Sequence, residues 1–253
     1  MSPAGRRPRR EEDALRDEFS GNINVSTAGT GVRRIEIDRP SKRGALTTAL
    51  MRDLGQHLDE AETDGSVRAV LIGSTGPAFC AGADLADLAA APPEDDPGAH
   101  ILHRLSQMTT PVVAAVQGSA VGMGATILLH CDVVYATDNA SMRFPFVQLG
   151  LTPEGGATMI LPPALGPARA KRVLLLGESL SAVEAVSSGL WTEIVDDEVL
   201  ARRSHDAATA LARLPVDVVA ATKRLMRPAG FADSFDHESL VFSHQRMKKL
   251  TVP

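Results

Sequence analysis

Gly76-Pro-Ala-Phe-Cys-Ala-Gly-Ala-Asp-Leu85 and Gly118-Ser-Ala-Val-Gly-Met-Gly124 are the two stretches on which the fold turns. The first follows the apolar run Ala69-Val-Leu-Ile-Gly73 and the second follows Pro111-Val-Val-Ala-Ala-Val116. Both lead into helical patterns. Short apolar runs that end in glycine-rich turns read as strands buried on both faces, and their alternation with helices predicts an α/β domain. Asp84 is placed to cap the helix after the first turn, and a helix is expected over 125–130 after the second.

The pattern extends both ways. VRRIEID over 32–38 alternates as a strand and stops at Arg39-Pro40. Leu46, Leu50, Leu54, Leu58 and Ala61 then recur every three or four residues, opposite Arg52, Asp53, Gln56, Asp59 and Glu60, which predicts an amphipathic helix. Three prolines make 91–98 a loop. Asp132-Val-Val-Tyr-Ala136 reads as a third buried strand leading to Met142-Arg-Phe-Pro145. Past Leu161 the stretches 167–190, 198–214, 215–227 and 231–250 favour helix, with 191–195 as a strand. The expected division is a tail over 1–20, an α/β core over 21–180 and a helical oligomerisation region over 181–253. No sharp sequence repeat is visible.

Composition narrows the function. The 253 residues are 44% hydrophobic and 23% charged, a globular balance that excludes disorder. A net charge of −5 opposes generic nucleic-acid binding. The arginine-rich start is no exception, because Arg6, Arg7, Arg9, Arg10 and Arg16 are matched by Glu11, Glu12, Asp13, Asp17 and Glu18. Two cysteines, Cys80 and Cys131, and the lack of an apolar leader point to a reducing cytoplasm, and no apolar run approaches a membrane span. There is no Walker motif, Gly-x-Ser-x-Gly elbow or complete dinucleotide fingerprint. His100 and His103 read as a solvated or packed pair, and no metal is expected.

The two turns remain as the chemical signal. Small residues let a ligand approach the backbone, and the first N–H groups of a helix lack intrahelical partners. Two such N–H groups that converge form an oxyanion hole.

In order and spacing, Arg39-Pro40-Ser-Lys42-Arg43-Gly-Ala45-Leu46, Ala78-Phe79-Cys80-Ala81-Gly82-Ala83-Asp84-Leu85, Val116-Gln-Gly118-Ser-Ala120-Val-Gly122-Met-Gly124 and Cys131-Asp132 resemble the enoyl-CoA hydratase/isomerase (crotonase) superfamily. Leu149-Gly150-Leu-Thr-Pro153-Glu154-Gly155-Gly156 and Leu176-Gly177-Glu178 continue the likeness, which spans roughly 22–250. The resemblance implies a spiral of repeated β-β-α units with a helical C-terminal region, a CoA thioester substrate and a homotrimer or a dimer of trimers. It places the backbone N–H groups of Ala83 and Met123 on the thioester oxygen. Lys42, Arg43, Ala45 and Ala81, with Asp84 and Leu85 beside them, fall where the family meets CoA. Gly44 departs from the Asn common in this motif, so a helix-start contact is expected to be weaker.

Hydratases of the superfamily carry two glutamates over the thioester. The matching positions here are Thr126 and Phe146, and neither supplies a carboxylate. Glu154, eight residues beyond Phe146, resembles the catalytic carboxylate of Δ3,Δ2-enoyl-CoA isomerases of the peroxisomal type. One base suffices to move a double bond from C3 to C2 through a thioester enolate, with no added cofactor. The alternatives are hydration with Glu154 acting alone and a non-catalytic acyl-CoA-binding paralogue.

Overall fold

The computed structural model describes residues 21–90, 92 and 96–251. The expected tail over 1–20 and part of the 91–98 loop therefore lie outside the described residues. A six-stranded sheet runs in the order β1 (Asn22–Thr27), β2 (Val32–Asp38), β3 (Ala69–Ser74), β4 (Val112–Val116), β6 (Val133–Ala136) and β9 (Glu193–Ile194). Only the β1–β2 pair is antiparallel. A smaller sheet orders β5 (Ser119–Val121), β7 (Ser141–Arg143) and β8 (Leu180–Ser181).

The helices are α1 (Thr48–Thr63), α2 (Leu85–Ala90), α3 (Pro97–Gln107), α4 (Met123–Leu128), α5 (Ala157–Leu165), α6 (Pro167–Leu176), α7 (Ala182–Ser187), α8 (Asp197–Ala212), α9 (Val216–Met226) and α10 (Phe231–Thr251). Each turn of the chain adds a strand to the large sheet, a short extended piece to the small one, and a helix. β4, β5 and α4 form one such unit. The bridges Leu46↔Ala83 and Cys80↔Ala120 make the short pieces of the preceding two units.

The strands read as continuous apolar runs because both sheet faces are covered. On β3, Val70 and Ile72 enter one core cluster while Ala69 and Leu71 enter another. Val134 and Tyr135 of β6 divide in the same way. The larger cluster packs α1, α3 and α10 residues such as Leu54, Ile101 and Phe242, and α8 seals the opposite face. Truncating a fully buried side chain such as Ile72 to Ala would cost about 2–5 kcal/mol.

Local signals account for most boundaries and for the differences. α1 starts two residues after Leu46, because the Thr47 side chain accepts from the Leu50 N–H at 3.2 Å and caps it there. The loss of Asn at position 44 therefore does not touch this helix start. The stretch 167–190 is not one helical segment. Gly177 adopts a left-handed φ of 64° and ends α6, and Ser181 with Glu184 forms a capping box that opens α7. The helix after the second glycine turn begins at Met123 rather than 125. β1 was not foreseen: NINVST is a short edge strand with only two apolar residues, Ile23 and Val25, of which it buries only Ile23. α8, α9 and α10 fall within two residues of the expected helices. Among the described residues no helix is long and apolar enough to cross a membrane.

Candidate active site

The two glycine turns lie side by side. The Cys80 N–H donates to the Ser119 carbonyl at 3.2 Å and the Val121 N–H to the Cys80 carbonyl at 2.9 Å. On the other side of the first turn, the Leu46 N–H bonds the Gly82 carbonyl and the Asp84 N–H bonds the Leu46 carbonyl, each at 2.8 Å. Ala83, between these two bonds, directs its own N–H away from Leu46. Gly82 makes the approach possible. Its φ is +89°, and a Cβ there would stand 2.7 Å from the Val121 carbonyl oxygen and 3.6 Å from the Met123 nitrogen. Met123 is the first residue of α4, so its N–H has no intrahelical acceptor.

Ala83 and Met123 share a cavity of about 220 Å³ with Glu154. Its other walls include Met51, Leu88, Phe146, Leu149, Leu151 and Phe242. Glu154 is the buried carboxylate of this mainly apolar space, 9% exposed. Burial pushes its pKa up to about 8, and the negative charges of Asp96 and Glu238 add to the rise while Arg246 opposes it. Arg246 of α10 and Asp96 at the head of α3 form an ion pair at 3.0 Å.

Thr126 and Phe146, the positions that the resemblance matches to the hydratase glutamates, bring no carboxylate. Thr126 is fully buried and its hydroxyl donates to the Met123 carbonyl at 3.0 Å, tying off the first turn of α4. Phe146 meets Phe242 edge to face, with ring centroids 6.3 Å apart.

Of the residues expected to meet CoA, Ala81 and Leu85 line the cavity, whereas Lys42, Arg43, Ala45 and Asp84 are not part of its lining. Lys42 and Arg43 are exposed, at the end of a short 3-10 turn. The Ala81 N–H donates to the Arg43 carbonyl at 3.0 Å, and the Ala45 carbonyl accepts from Arg39 at 2.9 Å. Asp84 braces this stretch. It pairs with Arg39 at 2.8 Å, chiefly the cause of a pKa below the usual carboxylate range, and also accepts the Ala86 and Asp87 N–H groups at the start of α2. Leu85 is 57% exposed beside the cavity.

The histidines separate into different roles. His100 pairs with Asp59 at 2.9 Å and His103 lies 3.0 Å from Gln107, and no metal-binding cluster exists among the described residues. His130, which has no assigned place in the sequence reading, approaches the Gly155 carbonyl at 2.9 Å. Asp96, Glu238, Gln245 and Arg246 were also missed. No local motif marks them, and the only signal was the recurrence of Phe231, Phe235 and Phe242, which gives α10 one inward face.

Comparison with known proteins shows the family. The family described as enoyl-CoA hydratase/isomerase matches residues 27–245, and the chain belongs to it. A probable enoyl-CoA hydratase EchA14 of Mycobacterium tuberculosis is 38% identical over 226 residues, covering 87% of this chain and 85% of that protein. Enoyl-CoA delta isomerase 2 of Homo sapiens is 32% identical over 80% of this chain and 54% of its own length. The crystal structure of an enoyl-CoA hydratase/isomerase from Pseudoalteromonas atlantica superposes with a TM-score of 0.82 at 36% identity, covering 90% of this chain and 94% of that one. The fold is that of the crotonase superfamily.

Proposed function

We propose that this acyl-CoA enzyme shifts a 3-enoyl-CoA double bond to the 2-enoyl position, with Glu154 as its single base. The observation that carries the reading is the buried Glu154 carboxylate in the cavity that also holds Ala83 and Met123, the other lining carboxylate, Asp96, being paired with Arg246; by the resemblance, Thr126 and Phe146 match the hydratase glutamates. The thioester oxygen accepts the N–H groups of Ala83 and Met123. Glu154 takes a C2 proton, and the electron pair left on C2 is delocalised onto that oxygen as an enolate. As the enolate collapses, C2 and C3 become doubly bonded and C4 receives the proton from Glu154. No water is consumed and no cofactor takes part. A carboxyl pKa near 8 suits a group that must both accept and return a proton near neutrality.

Lys42 and Arg43 supply positive charge for the CoA phosphates, with Ala45, Ala81, Asp84 and Leu85 shaping the entrance. Self-association as a homotrimer, or a dimer of trimers, is supported by a separate groove of about 960 Å³ lined by Leu214, Val218, Met226 and Pro163, and by Leu225 exposed to 86% nearby. The free thiols Cys80 and Cys131 accord with a cytoplasmic setting.

The test is to incubate the protein with a medium-length 3-enoyl-CoA and, separately, a 2-enoyl-CoA, following mass and 2-enoyl absorbance beside Glu154→Gln. Conversion of the 3-enoyl substrate at constant mass, lowered about a hundredfold to ten-thousandfold in the variant, is expected. A gain of one water on the 2-enoyl substrate would make the protein a hydratase. Binding of both thioesters without turnover would make it a non-catalytic acyl-CoA binder. A sedimentation mass equal to one chain would remove the trimer.

A further inference from the structure

Glu154 stands on a turn that its neighbours in sequence do not hold. Gly155 and Gly156 both adopt left-handed φ values, +68° and +74°, and Gly156 is the N-cap of α5 with no side chain to accept the first N–H groups of that helix. The acceptor comes from α10 instead. Buried Glu238 accepts the Gly156 N–H at 2.5 Å and the Thr158 N–H at 3.0 Å, and the Thr158 hydroxyl bonds the same carboxylate. Two further ties bracket the turn. Gln245, also on α10, accepts the Thr152 N–H at 2.7 Å. His130, at the end of α4, donates from Nε2 to the Gly155 carbonyl, which can only accept.

We infer that Glu238 is a positioning residue for Glu154: by capping α5 from α10 it fixes the turn 152–158 and with it the place of the base over the acyl cavity. The inference rests on Glu154 being the base, as proposed above. The chemistry makes such a hold necessary. Two consecutive glycines leave the backbone on the C-terminal side of Glu154 with the widest conformational range, and a displacement of about 1 Å in a reacting group costs on the order of a hundredfold in rate. The charged and titratable groups around Glu154 are Asp96 from the head of α3 and Glu238 and Arg246 from α10. His130, pushed down to about 4 mainly by burial, stays neutral near pH 7.

Two variants separate position from charge. Glu238→Gln keeps one acceptor oxygen for the α5 N–H groups but removes a negative charge near Glu154. Its kcat should stay within about threefold of the parent, while the pH midpoint of kcat/KM falls below that of the parent. Glu238→Ala removes both effects, so kcat should drop about tenfold to a hundredfold with KM nearly unchanged, and amide exchange at Gly156 and Thr158 should accelerate while β3 and β4 keep their protection. A helix merely destabilised would lower the folded fraction and leave the kcat of the folded molecules at the parental value.

Parent-like kcat and exchange in the Ala variant, or a Gln variant that keeps the cap yet loses as much kcat as the Ala variant is expected to lose, would overturn the inference. The Gln arm decides even if the Ala chain fails to fold. Should the parent itself leave 3-enoyl-CoA unchanged, the reading of Glu154 has failed and this inference falls with it. An active parent with an unresponsive Glu238 sinks the inference alone.

Discussion

The oxyanion side of the cavity and the carboxylate side are built in opposite ways. Ala83 and Met123 are presented by segments that cross-bond within 43–46, 79–84 and 119–123, each anchored by the strand that precedes it in the chain. Their chemistry is in the backbone, so side-chain identity counts only through size. Glu154 instead sits on a glycine turn tied by Glu238 and Gln245 from α10, more than eighty residues onward. The proposed donors are held by the sheet, whereas the turn that carries the proposed base is bonded to the last helix. A site assembled in this manner can keep its thioester-polarising half constant and change its reaction through the other half.

The sharpest way to break that contrast is Met123→Pro. Proline is tolerated at the first position of a helix but has no N–H, so turnover should fall about a hundredfold to a thousandfold below that of Met123→Ala, which loses the same buried side chain. Met123→Ala, which keeps the donor, is the control. Full activity in the Pro variant would remove Met123 from the oxyanion hole.

The carboxylate side can be probed through stability as well as rate. The pKa of Glu154 is raised by folding from an ordinary 4.5 to about 8, so the folded state holds its proton more tightly. The contribution is complete below pH 4.5 and is lost as pH rises through about 8, at up to about 1.4 kcal/mol for each pH unit in that window. Glu154→Gln has no such loss. Urea midpoints of the parent and variant should therefore coincide near pH 4.5 and diverge in the variant's favour by pH 8.5. Parallel curves would mean that the carboxylate is not strained by burial. In the parent, kcat/KM should rise with pH to a midpoint near 8, as the base ionises.

The smallest effect belongs to Lys42 and Arg43. Lys42→Ala with Arg43→Ala should raise KM for the CoA thioester about tenfold and leave kcat and thermal stability near parental values, since both side chains are exposed. A loss in kcat of the same size would show that these residues help to place the acyl group and do more than hold CoA.

Much of this was legible because its causes are local. The runs 69–73 and 111–116 had to be buried strands, since apolar residues on both faces of a short segment need cover on both sides. The start of α2 was written in Asp84, whose side chain reaches the Ala86 and Asp87 N–H groups; Thr47 and Ser181 cap α1 and α7 in the same way but were not read as caps. β1 and the break at Gly177 were not legible, the one because two apolar residues, Ile23 and Val25, make too short a pattern to mark an edge strand and the other because a single glycine does not say which turn it makes.

By itself the sequence determined the fold class and the two backbone turns and marked Glu154 as the candidate base, because turn chemistry and strand burial act over a few residues and the ordered motifs carry the family. Only the tertiary structure decided that Glu154 would be buried and its pKa raised, that Asp96 and Arg246 would pair beside it, and that Glu238 would cap the helix that follows. Those outcomes depend on desolvation and on charges brought together across the chain. Both are properties of packing, and no window of sequence contains them.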